Sequence, residues 1–422
     1  MEKLLGAGVL EREGPDSRPS SQPAIVLGAS VGQPPSVVLR PAGYRMIENF
    51  EARNFRCFES LQLNGLKRVN IITGENASGK SALLEALFAA ARGNAEALIL
   101  MNQFRGVTIG SSIAGFPMVA TAVQFPAIWD HWFYSSKKAS GSVEAETQRS
   151  VTATKISLRY SDSDNVRYAC DFTHEAVPQP LSSQAAPFVT NRNKTEEGKE
   201  PSQSASNMIL GPQGQLQSFP PLPNLGPAAF IFTANLNYAE QDNVMWFSQM
   251  RETGETQEII GFFKKNFPFI EHMEVLQPNP GAPAGIYATL TSGSIRRLPA
   301  VSSGIHKITS ILLACARARK GIVLIDEIEN GIFYDKYGLT WYILNKFSKD
   351  YDCQIFVTSH SLECLQKLVP IIGDDVDSFS LLQAARENGI CTVRHTSGTA
   401  MKAALLGGND VRGGNGKWGS PQ

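Results

Sequence analysis

The stretch Gly74-Glu75-Asn76-Ala77-Ser78-Gly79-Lys80-Ser81 decides how this chain folds. It follows the apolar run 69–72, which predicts a buried strand, and it precedes residues 81–88, whose apolar positions recur at helical spacing. In a strand, glycine-rich turn and helix of this order, backbone N–H groups point inward at the positive end of the helix. The stretch therefore predicts a loop that holds phosphate groups.

The residues of this loop suggest a nucleoside triphosphate and a divalent cation as its ligands. We expect residues 74–81 to cradle the phosphates, with the Lys80 ammonium on the β- and γ-phosphates and the Ser81 hydroxyl on Mg²⁺. The alternative is a chance glycine-rich turn, which the flanking strand and helix disfavour. ATP and Mg²⁺ are the predicted cofactors.

A second apolar run, residues 322–325, ends in Asp326 and Glu327. Such a run is typical of a strand buried on both faces, and active sites of parallel sheets lie at the carboxyl ends of their strands. We expect Asp326 to hold Mg²⁺ through water and Glu327 to orient and deprotonate an attacking water. An acidic turn over residues 327–331 is the alternative, which the presence of the phosphate loop makes weaker.

Two further features follow the same order along the chain. Ser302, Ser303 and Gly304 precede a predicted helix over residues 305–317, and their hydroxyl and N–H groups are suited to a phosphate. An ordinary N-cap is the alternative for this turn. His360 follows the apolar run 354–357 and is a candidate donor to the γ-phosphate, the alternative being a structural histidine.

Together these residues resemble the ABC-type ATPase heads of the RecF, SMC and OLD group, and more narrowly the stand-alone AAA-family ATP/GTP-binding proteins of that group. The resemblance begins at Asn54-Phe55-Arg56-Cys57-Phe58 and includes Phe104-Arg105-Gly106 and residues 129–133. It resumes at Leu298-Pro299 and continues through residues 326–331 to Ser359-His360-Ser361. It covers roughly residues 46–412.

The resemblance implies an α/β fold of the P-loop NTPase type. Its sheet would be mixed and flanked by helices, with an antiparallel β lobe and a helical insertion. The resemblance also implies a homodimer, or a higher homo-oligomer, in which two heads enclose two ATP molecules. Ser302, Ser303 and Gly304 would then complete the partner's site.

The chain departs from the pattern of these relatives at three places. The Ser302–Gly304 turn has one glycine where transporters and SMC heads have two. Ile332 and Phe333 stand where relatives often have Leu-His, and Gln103 and Gln124 are unassigned candidates for a glutamine switch. No long coiled coil is present, and the stretch after His360 is too short for a Toprim metal domain. Any nuclease activity is therefore expected in a separate effector protein.

Composition narrows the classes of function. The formal net charge is +0, so the chain has no global electrostatic attraction to nucleic acid. The six cysteines form no Cys-x-x-Cys pair, no apolar run is long enough for a bilayer, and the N-terminus is a poor secretory signal. These features predict a cytoplasmic protein without a membrane anchor.

Three functions remain open at this stage. The first is an ATPase that acts as a regulatory or sensor subunit, with a role in anti-phage defence or DNA maintenance as an extension. The second is a RecF-like DNA-repair ATPase, for which the candidate basic residues are Lys264, Lys265, Arg296, Arg297, Arg317, Arg319 and Lys320. The third is an ATP-gated scaffold without activity, which Glu327 disfavours. A P-loop kinase is disfavoured, because it needs neither the Ser302–Gly304 turn nor His360.

The predicted organisation has three parts. Residues 1–45 lack periodicity and are expected to be a disordered extension, with Met46 as a candidate start. Residues 46–412 form the ATPase domain, and residues 413–422 a flexible tail. Within the domain, alternation over 150–172 predicts antiparallel strands, whereas residues 176–225, rich in Pro, Ser, Gln and Asn, predict a mobile loop.

Overall fold

A computed structural model describes residues 46–92, 152–163, 167–178, 203–210, 216–218, 228–231 and 238–413, with residues 97, 100, 101 and 105. These residues belong to one compact unit, Pro41–Gln422. The predicted extension 1–45, residues 414–422 of the predicted tail, and Gln103 and Gln124 lie outside the described residues. In the part of the chain that is described, no helix is both long enough and apolar enough to cross a membrane.

The described residues form strands and helices in the following order. The strands are β1 Asn49–Phe55, β2 Phe58–Asn64, β3 Val69–Gly74, β4 Thr152–Ser163, β5 Arg167–Pro178, β6 Gln203–Leu210, β7 Leu216–Ser218, β8 Ala228–Ile231, β9 Ile270–Leu276, β10 Gly285–Leu290, β11 Ile295–Arg297, β12 Ile322–Ile325, β13 Gln354–Thr358, β14 Phe379–Glu387 and β15 Ile390–Ser397. The helices are α1 Lys80–Arg92, α2 Tyr238–Glu252, α3 Thr256–Asn266, α4 Leu298–Val301, α5 Ser303–Arg317, α6 Tyr337–Asp350, α7 Leu362–Gln366, α8 Val369–Ile372 and α9 Gly398–Leu406.

A mixed six-stranded sheet carries the phosphate loop. Its order is β15-β14-β3-β13-β12-β8, and every neighbouring pair is parallel except β14 and β15. The carboxyl ends of β3, β13 and β12 therefore meet at one edge, which places the phosphate loop, His360 and Asp326 close together. The sheet confirms the predicted α/β fold of the P-loop NTPase type.

Alternate residues of the central strands pack into two separate cores. Val323 and Ile325 of β12 belong to a cluster with helices α5 and α6, whereas Ile322 and Leu324 belong to a cluster with helix α1 and strands β1 and β2. All four side chains are fully buried. The apolar run has no polar face because the strand is covered on both sides.

The predicted antiparallel lobe is a second six-stranded sheet, of order β2-β1-β5-β4-β6-β7. All its pairs are antiparallel except β1 with β5. Strands β4 and β5 fall where alternation predicts them. Strands β6 and β7 fall inside residues 176–225, which the sequence predicts as a loop. β6 pairs with β4 from Gln203 to Leu210, so backbone hydrogen bonds to a partner strand form it without an alternating apolar pattern.

The predicted insertion combines helices and strands. Helices α2 and α3 precede the three-stranded antiparallel sheet β11-β10-β9. Phe247 of α2, Phe263 of α3 and Ile286 of β10 share the core cluster that also contains helix α5. This packing fixes the start of α5, where the Ser302–Gly304 turn lies.

Candidate functional site

The phosphate loop depends on glycine at its two ends. Gly74 and Gly79 have φ angles of 152° and 100°, which are strained for residues that carry a Cβ. A Cβ at Gly74 would also lie 2.3 Å from the carbonyl oxygen of Ala384 on the neighbouring strand. Helix α1 begins at Lys80, and the Lys80 ammonium donates to the carbonyl oxygens of Gly74 and Glu75, both at 2.8 Å. The lysine thus lies over the loop that it is predicted to serve.

Asp326 joins the loop to the acidic strand. Its carboxylate oxygens lie 3.4 and 3.3 Å from Ser81 Oγ, and Thr358 Oγ1 donates to it at 2.8 Å. Burial raises the pKa of Asp326 and lowers the pKa of Lys80, where the Asp326 and Glu327 charges oppose the shift. Both groups are therefore costly to keep charged at this edge, and a bound cation or phosphate would relieve that cost.

Ser81 and Asp326 suit a hard divalent cation. They offer a hydroxyl and a carboxylate on the same side of the site, and oxygen is the ligand type that Mg²⁺ prefers. Mg²⁺ at nucleotide sites takes one or two protein ligands and completes its shell with water and phosphate oxygens. The residues present therefore fit Mg²⁺ bound together with nucleotide.

Glu327 has a strained backbone. Its φ angle of 47° lies in the left-handed region, which a non-glycine residue rarely adopts. The N–H group of Glu327 donates to Thr358 Oγ1 at 2.6 Å, and the Asn330 amide donates to its carboxylate. These contacts hold the backbone and the side chain of the candidate base in one position.

His360 lies beside a buried carboxylate that the sequence reasoning does not single out. Glu329 Oε1 accepts from the backbone N–H groups of His360 and Ser361, at 2.7 and 3.1 Å, and lies 3.0 Å from His360 Nδ1. Glu329 is only 6% exposed, whereas the His360 side chain is 49% exposed. The carboxylate fixes the imidazole while leaving it open to a ligand.

The Ser302–Gly304 turn caps helix α5 and contacts the loop after Glu327. Ser302 Oγ accepts from Ile305 N at 3.4 Å, so the N-cap interpretation holds for this residue. Ser303 Oγ donates to the Gly331 carbonyl at 3.2 Å, and a Cβ on Gly304 would lie 2.8 Å from that oxygen. In the described part of the chain, no side-chain hydrogen bond of this turn reaches the phosphate loop of the same subunit.

A cavity of about 590 Å³ opens beside this turn. Its wall combines the turn with apolar side chains of the segment that follows α3 and of the 331–336 loop, among them Phe267, Phe269, Ile332 and Phe333. Ile332 is buried, but Phe333 is 67% exposed and its ring lies 4.6 Å from that of Tyr334. The turn therefore faces an open surface with exposed aromatic side chains.

Lys307 is a second site residue that the sequence reasoning misses. Its side chain is fully buried, and its ammonium donates to the carbonyl oxygens of Glu327 and Asn330, the latter at 3.1 Å. Burial lowers the pKa of Lys307 from 10.5 to about 8, against the attraction of Glu329, Asp326 and Glu327. The sequence does contain a signal for this residue, which is a lysine among the apolar residues of a predicted helix. A lysine that is buried almost always has a partner, so its position suggests a polar contact inside the protein.

We predict that Glu329→Ala lowers both stability and hydrolysis. The substitution removes a charged acceptor of two backbone N–H groups, which also lies 3.0 Å from His360 Nδ1, and each hydrogen bond to a charged group contributes about 1.5–3 kcal/mol. We expect the free energy of unfolding to fall by about 2–4 kcal/mol and kcat for ATP hydrolysis to fall about 10-fold. Urea unfolding and steady-state phosphate release measure the two effects.

The matched control for Glu329→Ala is Glu363→Ala, which removes an exposed acid from the first turn of α7. This control is expected to change stability by less than about 1 kcal/mol. If Glu329→Ala behaves like the control in both assays, the carboxylate does not position His360.

Comparison with known proteins gives a family, a distantly similar curated protein and several solved structures. Residues 69–365 match the model of a family described as "AAA domain, putative AbiEii toxin, Type IV TA system". A Helicobacter pylori protein described as an "ATP/GTP phosphatase" is 22% identical over 349 residues, which cover 78% of this chain and 89% of that protein.

Among solved structures, an SMC head bound to the C-terminal winged-helix domain of ScpA aligns with a TM-score of 0.43 at 12% identity. The alignment covers 84% of this chain and 98% of that chain. The SMC head domain of Thermotoga maritima aligns with a TM-score of 0.37 at 11% identity, covering 82% and 97%. The family match spans most of the chain, from the strand before the phosphate loop to the helix after His360: the chain belongs to this family of AAA domains and is a P-loop ATPase.

Proposed function

We propose that this chain is a Mg²⁺-dependent ATP hydrolase that dimerises and acts as the regulatory or sensor subunit of a bacterial defence or DNA-maintenance system, with a separate effector. One observation carries the proposal. Lys80, Ser81, Asp326, Glu327 and His360 lie at one sheet edge, whereas the Ser302–Gly304 turn lines an open cavity beyond the loop that follows Glu327. The name of the Helicobacter pylori relative and the toxin–antitoxin description of the family support the chemistry and the biological setting.

The side chains at this edge divide the reaction among them. The Lys80 ammonium exchanges the carbonyl oxygens of Gly74 and Glu75 for phosphate oxygens when nucleotide binds. Ser81 and Asp326 would hold Mg²⁺, and the ion would supply positive charge to the phosphates. Glu327 orients the attacking water and accepts its proton, and His360 donates to the γ-phosphate.

The turn supplies the second half of the site in a partner subunit. Ser303 is exposed at the N-terminus of α5, a 15-residue helix whose positive end attracts a phosphate. Phe333 and Tyr334, 67% and 52% exposed, lie next to the turn and would be covered by a second copy. Closure of the dimer on ATP and reopening after hydrolysis then provide the two states of a switch.

The test of this proposal is the dependence of hydrolysis on protein concentration. A site completed by two subunits gives an activity per subunit that rises with concentration and then saturates. ATP and GTP are tested in parallel, with Mg²⁺ and with excess chelator. An activity per subunit that stays constant from nanomolar to micromolar protein contradicts the composite site, and activity unaffected by chelator contradicts the metal.

We predict that Ser303→Glu abolishes this concentration dependence. The substitution places a negative charge where the partner's γ-phosphate would bind, and its exposed position leaves the fold intact. Hydrolysis is expected to fall at least about 10-fold, while ATP affinity of the monomer stays within about 2-fold of the wild type. Phosphate release and calorimetry measure these quantities.

The control is Ser292→Glu, which adds the same charge at an exposed position of the β10–β11 turn. It should hydrolyse ATP as the wild type does. Equal activity of the two variants would show that Ser303 meets no phosphate.

The RecF-like alternative receives less support. Three of the basic residues that it needs are paired with acids: Arg297 with Glu240, Arg317 with Asp242, and Arg319 with Glu255. Paired charges attract a phosphate backbone less strongly than a row of free cations does. Binding of duplex or gapped DNA that weakens steeply with salt would revive this alternative.

A further inference from the structure

A segment near the end of the described chain lies against the strand that carries the phosphate loop. Val411 is fully buried, and its carbonyl oxygen accepts from Thr73 Oγ1 at 2.8 Å and from Gln383 Nε2 at 3.0 Å. Thr73 directly precedes Gly74, the first residue of the loop. Two side-chain donors from neighbouring strands thus fix residue 411 at the edge where nucleotide binds.

The chain continues along the loop itself. A Cβ on Gly413 would lie 4.0 Å from Gly74 Cα and 3.9 Å from the Ala384 carbonyl oxygen. Val411 is held at this edge and Gly413 lies next to Gly74, so the backbone of Arg412 between them lies at the same edge. Its NH1 nitrogen lies 3.5 Å from the carbonyl oxygen of His360.

The guanidinium of Arg412 is oriented but only partly engaged. Asp410 holds two of its nitrogens, with Nε to Oδ1 at 2.8 Å and NH2 to Oδ2 at 2.6 Å. Among the residues that the structure describes, NH1 makes only its long contact with His360, and 42% of the Arg412 side chain is exposed. A guanidinium held by a carboxylate on one edge presents its other edge in a fixed direction.

The charges of the site favour a further cation such as the Arg412 guanidinium. Asp326, Glu327 and Glu329 carry negative charge at this edge, and the nucleotide adds its own. Lys307 is fully buried beneath the site and donates to backbone carbonyl oxygens. Lys80, on the phosphate loop, and Arg412, which is partly exposed, are therefore the cations that the described residues offer to the phosphates. We propose that Arg412 is a nucleotide-binding residue whose guanidinium contacts the terminal phosphate of ATP beside His360. This inference rests on the proposed function.

The experiment compares ATP and ADP binding by calorimetry in Mg²⁺, using the full chain and its Arg412→Gln and Arg412→Lys variants. Arg251→Gln, a change at an exposed position of α2, is the matched control. Arg412→Gln is expected to weaken ATP binding at least about 10-fold, because the variant loses a charge-assisted hydrogen bond to the terminal phosphate. ADP affinity and the melting temperature without nucleotide should match the control, and Arg412→Lys should recover part of the ATP affinity.

Two results would overturn the inference. One is an Arg412→Gln variant that binds ATP like the control. The other is an equal loss of ATP and ADP affinity together with a lower melting temperature, which would mean that Arg412 only fastens the segment. A Lys80→Ala variant separates these failures from failure of the proposed function: if it still binds ATP, the site itself is misassigned. If it loses ATP while Arg412→Gln keeps it, only the role of Arg412 is wrong.

Discussion

Replacing Glu327 by Gln is expected to lower kcat for ATP hydrolysis at least about 100-fold and to leave ATP affinity unchanged. Glutamine keeps the volume of the side chain and still accepts a hydrogen bond from Asn330, but it cannot take a proton from water. The strained φ angle of 47° is a property of the backbone, which Lys307 and Thr358 hold from either side. The variant should therefore fold and bind nucleotide normally.

Phosphate release under saturating Mg-ATP measures the loss, and size-exclusion chromatography with ATP measures its consequence. A dimer that closes on ATP and cannot hydrolyse it should persist, so Glu327→Gln is expected to elute as an ATP-dependent dimer. The control is Glu387→Gln, an exposed acid at the end of β14, which should behave as the wild type. Hydrolysis within about 3-fold of the wild type would mean that another group is the base.

A wild-type protein that binds ATP but does not hydrolyse it at any concentration would favour the gated scaffold. The scaffold needs Lys80 and the glycines of the loop, but it does not need Glu327 in a strained conformation. Wild type and Glu327→Gln are then compared for ATP-dependent dimerisation. This comparison distinguishes a site that never hydrolyses ATP from one that hydrolyses ATP only with an effector. An effector that restores hydrolysis to the wild type alone identifies the regulatory role.

The parts of the site that the sequence predicts are those encoded by contiguous residues. The loop 74–81 and the strand ending in Asp326 each have a local pattern, and the parallel sheet brings the carboxyl ends of their strands together. The sequence alone therefore predicts Lys80, Asp326, Glu327 and His360 as site residues, and predicts that they lie close together.

The contacts between these parts have no local pattern. Thr358 bridges Asp326 and Glu327, and the Val411 carbonyl accepts from Thr73, which is 338 residues away in the sequence. Nothing in the residues around Val411 marks it as part of a nucleotide site, because its role depends on the packing of β3 and β14. Strands β6 and β7 were missed for a related reason, since pairing with β4 forms them.

Among the contacts that have no local sequence pattern, those of Lys307 are expected to have the largest effect on activity. We predict that Lys307→Met lowers kcat about 100-fold, because the ammonium ties helix α5 to the carbonyl oxygens of Glu327 and Asn330. A displacement of about 1 Å in a catalytic group is enough for a loss of that size. KM should change little, since Lys307 does not touch nucleotide. Lys367→Met, an exposed change after α7, is the matched control.

Stability and activity are expected to respond differently to this substitution. Methionine leaves two carbonyl oxygens without a donor, at about 1–3 kcal/mol each. It also removes a buried ammonium whose pKa falls from 10.5 to about 8, a penalty of about 3 kcal/mol. These terms oppose one another, so the free energy of unfolding near pH 7 should change by no more than about 3 kcal/mol. A large loss of kcat with a small loss of stability would show that Lys307 positions the base.

The pH dependence of stability gives an independent check on the burial of Lys307. Between pH 8 and 10.5 the unfolded chain keeps the lysine proton while the native protein releases it, so the free energy of unfolding rises with pH. Over that window the wild type should gain up to about 3 kcal/mol relative to Lys307→Met. Urea unfolding at pH 7.5, 9 and 10.5 measures the difference. Parallel curves for the two proteins, together with a kcat within about 3-fold of the wild type, would contradict both the buried ammonium and its role at Glu327.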